Sequence, residues 1–123
     1  MAYTVDLKDR TKKFALEIIH LVESLPYSPS NKVIGNQILR SGTSIGANYR
    51  SACRGRSRPE FIAKLGVAIE EADETIYWLE LLIDTNPARQ EVLTPLITEA
   101  QELVSILTAS SKTAQANLTQ SRS

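Results

Sequence analysis

Apolar residues recur along the chain with the spacing of α-helices, and no stretch alternates apolar and polar residues long enough to predict a strand. The first apolar stripe predicts a helix over about 7–25, which two prolines end. Ser30 or Asn31 is expected to cap a second helix over about 33–54. These two segments predict the first helical hairpin.

Two further helices are expected to begin at a capping residue followed by proline. Ser57 and Glu60 flank Pro59 and predict a helix over about 58–84. Its apolar stripe is Phe61, Leu65, Ala68, Ala72, Ile76, Leu79 and Ile83. Asn86 and Pro87 repeat this start for a fourth helix, in which Pro95 should kink the first turns or move the start to Thr94.

Four helices with short connections predict an all-α, antiparallel up-down-up-down four-helix bundle over residues 1–109. Residues 110–123 are rich in Ser, Thr and Gln, so we expect a flexible C-terminal tail. The 123 residues are 42% hydrophobic and 23% charged, which fits one folded domain and no membrane segment. One Cys and no signal-peptide pattern predict a cytoplasmic protein.

The residues that could perform catalysis or bind a metal are sparse. Glu17 and His20 match half of a di-metal helix motif, but the chain has one His and the motif needs two. No phosphate-binding glycine loop is present, and Cys53 is interpreted as a small helical residue. We therefore expect no enzyme activity, no cofactor and no metal.

Charge is segregated although the formal net charge is zero. Positions 40–64 hold six basic residues and one acidic residue, Glu60. Positions 65–102 hold nine acidic residues and one basic residue, Arg89. The basic residues around the predicted turn are candidates for contacts with nucleic-acid phosphates: Arg50, Arg54, Arg56, Arg58 and Lys64. A solvated basic turn is the alternative.

Pairing the second and third helices around a turn near residue 57 predicts which residues face each other. Arg40 falls beside Glu74, which predicts a partly buried structural ion pair, with Glu70 or Glu71 as second choices. The second helix is also rich in Gly and Ser between 41 and 52. Because glycine weakens a helix, this favours close approach of a neighbouring helix over approach of a ligand.

The segment 76–83 is apolar nearly all round its helix. A bundle core needs only one stripe, so four residues are left over and predict a homo-oligomer interface: Tyr77, Trp78, Leu81 and Leu82.

Three segments, Gln37–Arg50, Arg58–Leu65 and Glu70–Glu80, resemble the bacterial four helix bundle protein family. That family includes proteins encoded in intervening sequences of 23S rRNA genes and the accessory variability proteins of diversity-generating retroelements. The resemblance covers about 7–107 and implies a four-helix protomer in a homopentamer. Many relatives read Ser-Ile-Pro-x-Asn-Ile-Ala-Glu-Gly where this chain has Ser44–Ala52, which marks a different branch.

For the retroelement branch the resemblance also implies binding to RNA and to a reverse transcriptase. Those proteins are markedly basic, whereas this chain is neutral, so we favour the rRNA-associated branch. The first hypothesis is a non-enzymatic oligomer that binds structured RNA through its basic turn. The alternative is a protein-interaction scaffold that binds no RNA.

Overall fold

A computed structural model describes residues 6–122 and shows four α-helices and no strand within that range. The helices are α1 (Leu7–Ser24), α2 (Pro29–Cys53), α3 (Arg58–Thr85) and α4 (Gln90–Arg122), with a 3₁₀ turn, Pro87–Arg89, before α4. The predicted all-α four-helix bundle is therefore confirmed. Residues 1–5 of the predicted bundle and residue 123 of the predicted tail lie outside the described residues.

The helix starts follow from local capping chemistry. Ser57 caps α3 as predicted, and its hydroxyl accepts the Glu60 amide at 3.2 Å. The start of α2 corrects the expectation, because Ser28 and not Ser30 or Asn31 is the cap. Its hydroxyl accepts the Asn31 amide at 3.0 Å, and Pro29 occupies the first turn, where its missing N–H costs nothing.

Helix α4 differs from the prediction at both ends. It begins at Gln90, so Pro95 lies inside it and does not move the start to Thr94. It also continues through the segment predicted to be a flexible tail and reaches Arg122. Ser111 and Ala114 are buried there, because small side chains three residues apart fit closely against the bundle.

Small residues on α2 bring α1 close to it. A Cβ atom at Gly46 would lie 2.8 Å from Thr11 Oγ1, and one at Gly42 would lie 3.0 Å from both Ile18 Cγ1 and Cγ2. Ile18 and Thr11 are fully buried at these contacts. The glycines of α2 therefore serve helix packing, as the composition of this helix predicted.

The buried stripe of α3 is shifted from the predicted one in its second half. Thr75 and Leu82 are fully buried, whereas Ile76 and Ile83 are only partly buried. The buried residues of α3 follow a regular three-four spacing: Leu65, Ala68, Ala72, Thr75, Leu79 and Leu82. Thr75 is accommodated because its hydroxyl bonds to Ser41 Oγ and to the Glu71 carbonyl, both at 2.8 Å.

The bundle is closed unevenly around its circumference. Helix α3 packs extensively against both α2 and α4, whereas α1 rests on α2 and touches α4 sparsely. At one end, Asn31 and Asn86 exchange two amide hydrogen bonds of 3.0 Å and tie the α1–α2 connection to the α3–α4 connection. The opposite end carries the α2–α3 turn.

None of the helices described is long and apolar enough to cross a membrane.

Candidate nucleic-acid interface

The turn between α2 and α3 is short and tightly hydrogen-bonded. The Gly55 amide donates to the Ala52 carbonyl at 2.9 Å, and the Phe61 amide donates to the Ser57 carbonyl at 3.0 Å. A Cβ atom at Gly55 would lie 3.0 Å from the Ala52 oxygen, so the turn leaves little room for a side chain. The arginines on both sides are thereby held close together on a rigid connection.

Three arginines of this turn are exposed, and none takes part in the ion pairs formed among residues 6–119: Arg54, Arg56 and Arg58. The nearest carboxylate belongs to Glu60, whose Oε2 accepts the backbone amide of Arg56 at 3.3 Å. This contact leaves the guanidinium of Arg56 unpaired. The turn therefore presents positive charge directly to solvent.

The two remaining predicted basic residues lie in different surroundings. Arg50 is exposed, and its Nη2 donates to the Lys8 carbonyl at 3.4 Å, which places this guanidinium beside the start of α1. Lys64 is half-buried, two turns into α3. Arg50 lies in the last turn of α2 and Arg54 is the residue that ends this helix, whereas Lys64 lies further along, inside α3.

Arg40 meets the partner that the helix pairing predicted. Its Nη2 lies 2.5 Å from Glu74 Oε1, and its Nη1 lies 3.2 Å from Glu71 Oε2. The hydrogen bond to Arg40 lowers the pKa of Glu74, and the same bond raises the pKa of Arg40. The Arg40 side chain is 52% exposed, whereas the Glu74 and Glu71 side chains are 37% and 14% exposed, so burial is confined to the carboxylate side of the pair.

A second ion cluster was not predicted from the sequence. Arg10 on α1 holds Glu99 on α4 with two hydrogen bonds, Nε to Oε2 at 2.6 Å and Nη2 to Oε1 at 2.7 Å. Glu102 accepts a third at 3.1 Å, and the hydrogen bond to Glu99 is the main cause that raises the pKa of Arg10. This cluster bridges the sparse α1–α4 contact. The partners are 89 residues apart, and no local pattern marks them.

The four residues predicted to form an oligomer interface divide into two groups. Leu82 is fully buried in the protomer core, which corrects the prediction, because the α3 stripe passes through it. Tyr77 is 54% exposed and packs edge-on against Trp78 with ring centroids 5.1 Å apart. Trp78 and Leu81 are partly buried against the core. Tyr77, Trp78 and Leu81 thus form a partly exposed apolar surface on α3.

The residues weighed for catalysis are not assembled into a site. His20 and Cys53 are exposed on different helices, and no group of three metal-ligating side chains occurs within the described range. Burial raises the pKa of the Tyr49 hydroxyl to about 12, and its hydrogen bond with Cys53 adds to the effect. Tyr49 is partly buried against the core, so packing explains this shift.

Apart from Glu60, which offsets one of the three arginine charges, the acidic residues of α3 are too distant to neutralise the turn. Glu70 lies roughly 18 Å from Arg58 along the helix at the usual rise per residue. At physiological ionic strength, exposed charges are screened beyond about 8 Å. The positive potential of the turn therefore persists although the whole chain is neutral.

Comparisons with known proteins place the chain in a family. The family model described as "23S rRNA-intervening sequence protein" matches residues 4–109. A crystal structure of a protein of unknown function, from the S23 ribosomal protein family of Bacteroides thetaiotaomicron VPI-5482, is 41% identical with a TM-score of 0.77. The match covers 85% of this chain and 97% of that one. No curated protein matches the chain. Because the family model matches most of its length, the chain belongs to the 23S rRNA-intervening sequence protein family.

Proposed function

We propose that the protein is a non-enzymatic, RNA-associated oligomer that binds the phosphate backbone through the α2–α3 turn. The observation that carries this proposal is the exposure of Arg54, Arg56 and Arg58 without carboxylate partners among the described ion pairs. Arginines already bound to carboxylates lose part of their attraction for phosphate. Arg10 and Arg40 each form an ion pair with a glutamate, whereas the turn arginines form none among the described ion pairs.

Two features of the fold add to the attraction for a polyanion. The first turn of α3 carries the positive end of a 28-residue helix, beside Arg58. Arg50 extends the basic surface along α2 toward the start of α1. Contacts of this kind hold a phosphate backbone and carry little base sequence information.

The RNA to test first is suggested by the family. Its name refers to an intervening sequence of 23S rRNA, so a structured fragment of that RNA is a natural probe. Four phosphate contacts per protomer, from Arg50, Arg54, Arg56 and Arg58, give a slope of about −3 in a plot of log affinity against log salt.

We also propose that Tyr77, Trp78 and Leu81 form the contact between subunits, in the pentamer that the family resemblance implies. Tyr77 is more than half exposed although it adjoins another aromatic ring. A ring would repeat the basic turn and multiply weak contacts through avidity. Tyr77→Lys should lower the mass measured by light scattering while helicity is retained, and an unchanged mass would refute this interface.

The decisive experiment compares two double variants that remove the same charge. Arg54→Ala with Arg56→Ala should weaken binding to the rRNA fragment and halve the salt slope to about −1.5. The control is Lys13→Ala with Lys32→Ala, because both lysines are exposed and neither lines the cleft beside Arg50. The control should bind as the unaltered protein does.

The competing scaffold hypothesis predicts a different result. If the unaltered oligomer shows no binding to RNA at low salt, the RNA proposal is refuted. If both double variants lose affinity equally, binding reflects overall charge and the turn is not the interface.

A further inference from the structure

A groove with both aromatic and basic character lies between the start of α3 and the C-terminal part of α4. Its cavity has a volume of about 510 Å³. Arg58 and Phe61 line one wall, and Ala109, Ser110 and Thr113 line the other. A second cavity of about 290 Å³ is lined by the same Arg58 and Phe61. The combined space is in the range of small-ligand sites.

The chemistry of the α3 wall suits an aromatic anion. Arg58 and Phe61 are three residues apart and lie on one face of the helix. Phe61 is partly buried against the core, which holds its ring in place. The part of the side chain that is not buried lines the groove. Arg58 is exposed and has no carboxylate partner among the described ion pairs.

The α4 wall supplies polar groups at the edge of the same space. The hydroxyls of Ser110 and Thr113 form no hydrogen bond with other described residues, so they are available to a ligand. This wall exists because α4 continues past residue 109, where the family match ends. The groove therefore combines residues of the matched region, such as Arg58 and Phe61, with residues that follow it.

We propose that this groove binds one unpaired RNA base, which stacks on Phe61 while Arg58 holds an adjacent phosphate. The inference rests on the proposed function and specifies it, since it assigns single-stranded or looped RNA as the preferred ligand. A nucleotide offers an aromatic face beside a negative charge, which is the combination that Phe61 and Arg58 recognise. No carboxylate lines either cavity, which disfavours a basic peptide.

The test uses the full chain and two RNA probes. One is a short single-stranded oligoadenylate that carries a 2-aminopurine, whose fluorescence reports stacking, and the other is a duplex of equal length. Phe61→Leu removes the aromatic face but keeps an apolar contact with the core, and Ala109→Leu fills the groove from an exposed position. Ala116→Leu is the matched control, because Ala116 is also exposed on α4 and does not line the groove.

Both groove variants should weaken single-strand binding by about 5- to 100-fold and abolish the 2-aminopurine signal. Their affinity for the duplex should stay within about twofold of the unaltered protein, because bases stacked in a duplex do not enter the groove. Phe61→Trp should restore the signal, since it restores an aromatic face.

The failure of this inference can be distinguished from the failure of the proposed function. If Phe61→Leu and Ala109→Leu bind both probes normally, while Arg54→Ala with Arg56→Ala weakens both, the base site is refuted and backbone binding stands. If the unaltered protein binds neither probe at low salt, both proposals are overturned.

Discussion

Glycine-to-alanine substitutions at three helical positions test how α1 is seated on α2. Gly42 and Gly46 face α1, whereas Gly66 on α3 has no atom within 4 Å of where its Cβ would lie. The chemical change is the same at each position, and all three residues are inside helices. The difference between their effects therefore isolates the packing of α1 against α2.

The expected magnitudes follow from two opposing contributions. Alanine is favoured over glycine inside a helix by about 1 kcal/mol, so Gly66→Ala should raise the free energy of unfolding by that amount. At Gly42 the same gain is opposed by Cβ contacts of 3.0 Å with two branches of the fully buried Ile18. Overpacking of this kind costs about 1–3 kcal/mol. Gly42→Ala should thus be about 1–3 kcal/mol less stable than Gly66→Ala.

Gly46→Ala should be at least as destabilising as Gly42→Ala. Its Cβ would lie 2.8 Å from Thr11 Oγ1 and 3.1 Å from Thr11 Cβ. Thr11 cannot easily move away, because it is buried and its hydroxyl donates to the Leu7 carbonyl at 2.6 Å. The substitution therefore has to push α1 away from α2 or break that hydrogen bond.

The assay is urea unfolding followed by circular dichroism, at one protein concentration because assembly would make stability depend on concentration. We expect Gly66→Ala to be more stable than the unaltered protein. The unaltered protein should in turn be more stable than Gly42→Ala and Gly46→Ala. Equal stability of Gly42→Ala and Gly66→Ala would refute the close approach of α1 to α2.

Two further predictions concern charged and titrating groups. Arg10→Gln should lower the free energy of unfolding by about 1 kcal/mol, because it removes the bidentate and largely buried ion pair with Glu99. Urea unfolding measures this loss, which should be smaller at high salt. Because burial raises the pKa of Tyr49 to about 12, the folded state keeps this proton when the unfolded chain, with a pKa of about 10, has lost it. Stability should therefore fall as pH rises from about 10 to about 12, and Tyr49→Phe should remove that part of the fall and the last phase of an ultraviolet tyrosine titration.

The order and extent of the helices were largely predictable because their boundaries are set by local chemistry. Ser57 with Pro59 marks the start of α3 within its own sequence, and the structure has the same start. Ser28 was missed because Pro29 was interpreted as ending α1, although proline is also favoured in the first turn of a helix. The same local signals gave no warning that α4 continues to Arg122.

The details of the core were less predictable because they depend on partners from other helices. Thr75 is buried where an apolar residue was expected, since Ser41 on α2 satisfies its hydroxyl. The same three-four spacing places Leu82 in the core, which removes Leu82 from the predicted interface.

In the candidate site, too, features set by local sequence were predictable and features that depend on distant helices were not. The basic turn could be predicted from charge and helix pairing, whereas the groove beside Phe61 depends on where α4 lies. Arg40 and Glu74 were found by counting around one hairpin. Arg10 and Glu99 join the first and last helices, so no counting around a single turn relates them.

The uneven seating of α1 has a consequence for local unfolding. Because α1 rests on α2 and contacts α4 only sparsely, with Arg10 bridging the two, it can detach while the packing of α3 against α2 and α4 stays intact. Detachment would uncover Phe14, Ile18 and Leu21 together. In native-state hydrogen exchange, the amides of α1 should therefore exchange as one cooperative unit, ahead of the amides at the centre of α3.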